Sequence, residues 1–353
     1  MGFEIDFLAV GDGEKSGDAI AVRWGNLSGT RAEQKILVVD GGTLEAGQNL
    51  VNHVKTYYKT DSVDAVISTH PDIDHTCGLK VVLEKLDFNV LLMHKPWDHA
   101  NEICELFKNP TTPTKLKEKL RKAITTAHEL GTLCIERGKK IYEPFEGTDL
   151  YGDGSAIVLS PNRAYYQVLV SQFRDTPAAS FSVPGILQKA VAAASEAVEW
   201  VAEKMDMQYE SLDDSGVTSY ENNSSVILLL TIDGRKMLLT SDAGIPALTA
   251  AADYAASRNI ALHDLAFMQV PHHGSKHNVG KTILNRIKAG TSYVSAGAKA
   301  PKHPARKVTN ALIRRGSTVY KTAGTNLLHS KESPQRSTYS DVASLPFYEQ
   351  VEK

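Results

Sequence analysis

The chain has 353 residues, 42% of them hydrophobic and 23% charged, with a formal net charge of −2. That composition fits a globular protein with a sizeable core, built as two domains or one large α/β domain. No apolar run approaches the ~18 residues of a membrane span, and the net charge alone gives no sign of nucleic-acid affinity. The first residues match neither a signal peptide nor a myristoylation site, because Asp6 stands where Ser or Thr is needed. Cys77, Cys104 and Cys134 are odd in number and show no CxxC spacing, so reduced thiols and a cytoplasmic location are expected.

The hydrophobic pattern predicts strands over residues 3–10, 18–24 and 35–40, the last ending in Asp40-Gly41-Gly42. A helix follows over 44–59, then an apolar strand over 63–69, a short helix over 76–86 and a buried strand over 89–94. Residues 102–138 read as two helices broken near Pro110 and Pro113, and 157–160 as a strand stopped by Pro161. From 162 to 221 the pattern is helical and Ala-rich, most clearly over 187–207. Residues 225–232 and 236–240 form a hairpin across Asp233-Gly234. The end alternates: helix 245–258, strand 265–270, helix 281–288, strand 292–295, helix 305–315, strand 318–320. After Ser330 the chain is polar and is expected to be loosely held. Two batches of strands interleaved with helices imply two sheets packed face to face with helices outside. The expected units are 1–161, a helical insertion at 162–221, a second half at 222–330 and a flexible tail at 331–353. The insertion reads either as a lid or partner surface, or as a cap over a sheet edge.

Chemistry concentrates at His70-Pro-Asp72-Ile-Asp74-His75, four potential metal ligands at the end of the strand over 63–69. Such a cluster has few structural uses, since its groups would repel or stay unsatisfied without a cation. Mixed imidazole and carboxylate donors can hold two divalent ions. Asp242 ends one later strand, and Pro271-His272-His273-Gly274-Ser275 follows another. A charge asymmetry lies beside these motifs. From Leu265 to Lys331 there is no Asp or Glu, but there are twelve basic residues: Lys276, Lys281, Arg286, Lys288, Lys299, Lys302, Arg306, Lys307, Arg314, Arg315, Lys321 and Lys331. Such a lobe is the footprint of a polyanion partner, or else a set of cations that pair with acids elsewhere. The Gly11–Gly17 turn lacks the Gly and Lys spacing of a phosphate-binding loop.

Taken in order, Asp40-Gly41-Gly42, the His70–His75 cluster, Asp242 and His272-His273-Gly274-Ser275 resemble the motifs of the metallo-β-lactamase superfamily. The resemblance is nearest to the hydrolase domain of ComEC-like competence proteins. Asp72 in place of a second His, Gly17-Asp18-Ala19-Ile20, Asn222-Asn223-Ser224-Ser225, Val294-Ser295-Ala296-Gly297, Lys302-His303-Pro304 and Val319-Tyr320-Lys321-Thr322 carry it. It implies a four-layer αββα sandwich interrupted by the helical insertion. It also implies two divalent metal ions, Zn²⁺ or Mn²⁺ with Mg²⁺ as a third option. His70 and Asp72 resemble ligands of the first ion, Asp74 and His75 those of the second, and Asp242 the carboxylate bridging both. One of His272 and His273 completes the second site, and Asp40 supports the cluster from behind. The chain departs from the family where a further His is usual. Asn222, Asn223 and Ser225 stand there, and Ser241 replaces the Gly near Asp242.

The expected activity is a dinuclear metal-dependent phosphodiesterase, most simply a nuclease acting on DNA or RNA through a metal-bridging hydroxide. Asp74 or Asp242 would orient that hydroxide and Lys276 would stabilise the added charge. His303 or His94 would protonate the leaving oxygen. His94 also reads as a buried hydrogen-bonded histidine, Lys276 as a solvated lysine, and His277 as a phosphate contact or surface residue. Two alternatives are a hydrolase of a small phosphodiester, sulfate or lactone, and a non-enzymatic metal-stabilised subunit that binds protein partners through 162–221. No membrane association is expected.

Overall fold

A computed structural model describes residues 1–11, 16–109, 111–174, 176, 179–180, 186–187, 199–336, 339 and 341–353. In it, Gly2–Phe7, Ala19–Gly25, Gln34–Gly41, Ser62–Ser68, Asp87–Met93 and Lys140–Tyr142 lie side by side in that order, with Leu327–Lys331 beyond the first. A second sheet runs Ala156–Ser160, Ile227–Ile232, Arg235–Leu239, Leu265–Gln269, Ala289–Val294 and Thr318–Lys321. Both sheets start antiparallel and become parallel where helices such as Leu44–Tyr57 and Ile245–Ser257 separate the strands. The hairpin at 233–234 turns as its sequence predicts, with Asp233 at φ 51° and Gly234 at φ 70°.

Alternation within strands sorts the side chains into layers. Ile36, Val38, Val66 and Leu91 face outward and pack on Leu50, Val54, Leu79 and Val82 of the first helices. Their neighbours Leu37, Val39, Ile67 and Leu92 face inward and meet Val158, Leu228, Met237 and Phe267 of the second sheet. The other face of that sheet, with Ile227, Leu229 and Leu238, packs on Leu248, Ala251 and Val308. Helices, sheet, sheet and helices form the four layers that the alternating elements imply.

One contact fixes where the helix Ile73–Lys85 docks. A Cβ on its Gly78 would collide with the carbonyl oxygens of Gly41 and Thr43, and one on Gly47 with that of Gly78. Glycine alone permits this backbone approach, and Gly78 N–H donates to the Gly42 carbonyl at 2.9 Å. The strand end carrying Asp40 is thereby locked to the helix carrying Asp74 and His75.

Several elements differ from expectation. The second helix begins at Ile73, so Asp74 and His75 sit in its first turn. Short helical turns over Ala100–Ile103 and Cys104–Leu106 and a helix from Pro113, capped by the Thr112 hydroxyl, flank the break expected near Pro110 and Pro113, and a second break falls at Ile124. Lys140–Tyr142 and Leu327–Lys331 form sheet edges that their short, polar sequences did not signal. The insertion is helical over Arg163–Val170. Of the Ala-rich stretch, 188–198 lie outside the described residues, and Trp200–Ala202 is a strand paired with Gln350–Glu352. Aromatic and β-branched residues meeting a partner strand override a weak helical propensity.

Described residues after Ser330 are tied down rather than loose. Buried Arg336 pairs with Asp6 at 2.5 Å and Glu4 at 2.7 Å, and the Tyr339 hydroxyl donates to Asp6 at 2.9 Å. Burial pushes the Asp6 carboxyl up, but His53 and Arg336 outweigh it and hold the group well below the usual carboxylate range.

Two outcomes follow from these contacts. Gly78→Ala should lose more than about 2 kcal/mol in urea denaturation, since backbone rather than a flexible side chain must yield. Asp6 is depressed in the folded state, so its contribution is present above its unfolded value near ~4 and fades as pH falls toward the folded value. Asp6→Asn should therefore be destabilised at pH 7 by about 3–5 kcal/mol, with a flatter loss of stability below pH ~4 than the parent. Parallel acid limbs for the two proteins would contradict this.

Candidate metal centre

The strand ends that carry the motifs meet at one side of the two sheets, at the carboxyl ends of the parallel strands. Asp40, Ser241, His272 and His273 all take left-handed backbone, with φ between 47° and 56°. Non-glycine residues adopt this region at a cost of about 1–3 kcal/mol each, and such residues cluster at functional sites.

At the centre lies Asp242, buried, with its two oxygens divided between two pairs of histidines. Its Oδ2 is 3.8 Å from Nε2 of His70 and 3.5 Å from Nε2 of His272. Its Oδ1 is 3.4 Å from Nε2 of His75 and 3.7 Å from Nε2 of His273. Asp72 joins the first group, its Oδ2 4.0 Å from His70 Nε2. Asp74 joins the second, its ligand atom within 4.8 Å of those of His75 and His273.

The opposite ring nitrogens are all occupied. His75 Nδ1 lies 2.8 Å from Asp40 Oδ2, and His273 Nδ1 donates to the Ser295 carbonyl at 2.8 Å. His272 Nδ1 lies 2.9 Å from Asn278 Oδ1, whose own amide NH₂ donates to the Asp242 carbonyl at 2.8 Å. His70 Nδ1 is 3.1 Å from the Thr69 hydroxyl, which itself donates to Asp40 at 2.6 Å. Each ring is thereby held from its Nδ1 side with Nε2 turned toward Asp242. Partners behind a ligand orient it in this way.

Whether a cation fits can be judged from the protein atoms alone. Nε2 of His70, His75 and His273 and Oδ1 of Asp242 are buried without a hydrogen-bond partner among the described residues. An unsatisfied buried polar atom costs about 1–3 kcal/mol, and here four point at one place. Divalent cations satisfy all four, and the donor set of imidazole nitrogens and carboxylate oxygens suits them.

The charges agree with that reading. Burial would raise the Asp242 carboxyl, yet His272, His75 and His273 hold it well below the usual range. Burial, then the proximity of His75, keeps His70 neutral. Burial pushes Asp18 up to about 8 and Asp72 up to about 7, the latter against the pull of Arg174.

The remaining expected site residues are placed differently. His303 stacks on His272 with ring centroids 5.9 Å apart, and its Nδ1 has no hydrogen-bond partner among the described residues. His94 is buried between Phe145 and Tyr166 behind His70, beside a cavity of about 10 Å³. Burial lowers both rings to about 3, so each is neutral at pH 7 and neither rests as a proton donor. Lys276 is not among the converging groups, because its ammonium donates to the Lys353 carbonyl at 2.6 Å. His277 is exposed.

Sequence reasoning missed several contributors. Asp18 lies 3.7 Å from His75 and receives a hydrogen bond from Gln269 at 2.7 Å. The Gln269 side-chain Oε1 in turn accepts from the Thr240 and Ser241 amides at 3.0 Å, joining two strand ends. Asn222 does not take the place of a histidine ligand, since it sits behind His272 at 3.1 Å from Nδ1. Arg174, from the insertion, pairs with Asp72. Asp18, within the Gly17-Asp18-Ala19-Ile20 opening, and Asn222, in the Asn-rich turn, carried a sequence signal, whereas Gln269 and Arg174 carried none.

Residues 30–155 match the family model described as the metallo-beta-lactamase superfamily. The match supports a place for the chain in that superfamily. It includes the His70–His75 cluster and stops before Asp242 and His272-His273. The fold is the mixed α/β sandwich of that superfamily, which typically binds divalent metals. No curated protein is detectably similar in sequence. Among solved structures, a diphosphatase of the PhnP family is 11% identical, covering 94% of this chain and 99% of that one, with a TM-score of 0.41. The CmlA beta-hydroxylase E377D mutant is 10% identical over 93% of this chain and 53% of that one, with a TM-score of 0.41. A Thermotoga maritima protein described as a metallo-beta-lactamase is 9% identical over 69% of this chain and 79% of that one, with a TM-score of 0.34.

The division of Asp242 predicts the pattern of metal loss. Elemental analysis should find about two divalent ions per chain. Asp242→Ala should lower both equivalents, whereas His273→Ala and His272→Ala should each lower one. Equal retention of metal by Asp242→Ala and the parent would rule out this geometry.

Proposed function

We propose that the protein is a hydrolase that uses two divalent cations to cleave a phosphodiester, with nucleic acid as the first substrate class to test. The observation that carries this is the splitting of Asp242 between two histidine pairs, each pair joined by a further carboxylate. Two cations held there would activate a water and neutralise the attacking and leaving oxygens of the ester. His70, Asp72, His272 and Asp242 Oδ2 are the assigned donors for one cation. His75, Asp74, His273 and Asp242 Oδ1 are those for the other. His272 thus supplies the imidazole that the Asn-rich turn lacks. Several carboxylates beside four imidazoles favour Zn²⁺ or Mn²⁺ and leave Mg²⁺ less suited. Asp74, half-buried at the edge of the group, is the best placed to orient the attacking water and take its proton. His303, beside His272, borders the leaving group. Asp72 supports the ComEC-like resemblance and with it the choice of phosphate.

The basic lobe lends less to a nuclease than its composition implied. Arg314 pairs with Glu203 at 2.8 Å, Arg315 with Glu210 at 2.7 Å and Arg286 with Asp253 at 2.6 Å, while Lys331 pairs with Asp233. Lys276 and Lys321 donate to backbone carbonyls. Arg306 lies over the Trp200 and Tyr348 rings and Lys307 is buried. Lys281, Lys288, Lys299 and Lys302 remain to meet a nucleic-acid backbone, so any such binding should involve few phosphates and a shallow salt slope.

The test is turnover of bis-p-nitrophenyl phosphate and of single- and double-stranded DNA and RNA, with Mn²⁺, Zn²⁺ or Mg²⁺ added. Asp74→Asn should weaken the second cation and, at saturating metal, still lose on the order of 10²–10⁴ in kcat. Reversing Lys299 and Lys302 to Glu should weaken DNA cleavage, with little effect on the small ester. Metal bound at two equivalents with no phosphodiester cleaved, while a lactone or sulfate is, would sink the proposal.

A further inference from the structure

The mouth of the centre is acidic on the side of the insertion. Asp72, Asp74 and Glu221 lie together there, and an anionic ester approaching them would be repelled unless a cation stands among them. Arg174 is that cation. Its Nη2 pairs with Asp72 Oδ1, and its Nε donates to Glu221 Oε1 at 3.1 Å. The same Glu221 oxygen accepts the Arg174 backbone N–H at 2.6 Å. Glu221 is buried, so a carboxylate withdrawn from water is committed to one residue. Arg174 itself keeps 51% of its side chain exposed. The guanidinium is thus held in place by two acids and still reaches solvent at the entrance.

The two oxygens of Asp72 divide as those of Asp242 do. Oδ1 takes Arg174, while Oδ2 faces His70 Nε2 at 4.0 Å. Asp72 can therefore hold Arg174 and serve the His70 group together. This sets the guanidinium about one carboxylate width from the atoms that gather around Asp242 Oδ2. A planar fork of donors at that place matches two oxygens of a phosphate and gives a neutral carbonyl ester little.

We infer that Arg174 is the specificity-determining residue of this site, recognising the non-bridging oxygens of an anionic phosphoester and selecting it over neutral esters. This rests on the phosphodiesterase reading above, but recognition of the anion is measurable without turnover. The probe is inorganic phosphate titrated calorimetrically into the full-length, Mn²⁺-loaded protein, with Mn²⁺ content measured on each sample. Arg174→Gln should keep its Mn²⁺ and bind phosphate roughly ten- to a hundredfold more weakly, as for loss of one charge-assisted contact. KM for bis-p-nitrophenyl phosphate should rise by a similar factor with kcat little changed. Any turnover of p-nitrophenyl acetate should be unaffected. Arg174→Lys, which keeps the charge and loses the fork, should fall between the two and guards against a glutamine variant that fails to fold. Unchanged phosphate affinity in Arg174→Gln overturns the assignment. So does loss of Mn²⁺ with phosphate affinity restored at saturating Mn²⁺, since Arg174 would then only prop Asp72. If phosphate binding depends on Arg174 but no phosphodiester is cleaved, the hydrolase reading fails and the anion site stands.

Discussion

Asp242 is the constraint from which the rest of the centre follows. A single buried carboxylate faces four imidazoles, two on each oxygen, and the facing nitrogens of His70, His75 and His273 are buried without a partner among the described residues. Nothing in a protein interior gathers such groups for stability, because each would be better served by water or by an apolar neighbour. Holding them together takes strained backbone at Asp40, Ser241, His272 and His273. The sandwich offsets that strain. Phe7, Phe267 and Tyr293 interlock edge-on between the sheets at 5.0–5.7 Å, so the strands cannot slide and their ends stay where the ligands need them.

A second layer of constraint sets the rings. Asp40 collects the Thr69 amide and hydroxyl, the His75 Nδ1–H and the Ser241 hydroxyl, and so ties one strand end from each sheet to the first turn of a helix. Gln269 does the same between Asp18 and the amides of Thr240 and Ser241. Removing any one of these leaves the ligand residues present but free to rotate, which is why geometry here depends on groups that never touch a substrate.

The strands and the clustered motifs were legible because their signals are local. Alternation marks both faces of a strand, and His70-Pro-Asp72-Ile-Asp74-His75 occupies six consecutive positions. The choice between His272 and His273 was not legible. It depends on left-handed backbone at both residues, on Asn278 behind one ring and on the Ser295 carbonyl behind the other. Asn222 misled for the same reason: a short polar residue at a ligand position reads as a missing ligand until its partner is seen. The helix begins three residues before its expected start, because Asp72 stands at its N-terminal boundary and the apolar period begins later.

Composition proved the poorest guide to charge in space. The acid-free stretch from Leu265 to Lys331 is real, yet its arginines face acids brought from other parts of the chain. Arg314 and Glu203 are both fully buried, and Arg315 with Glu210 nearly so. Trp200–Ala202 of the insertion pairs with Gln350–Glu352, and Arg306 lies over Trp200 and Tyr348. The asymmetry is therefore in large part an internal match: an acidic insertion and terminal strand seated on a basic half. The same insertion ends at Glu221 and contributes Arg174 to the mouth of the centre. Part of the charge that sequence assigns to an outside partner docks this segment instead. What the docking secures is an exposed guanidinium held against Asp72 at the mouth of the centre.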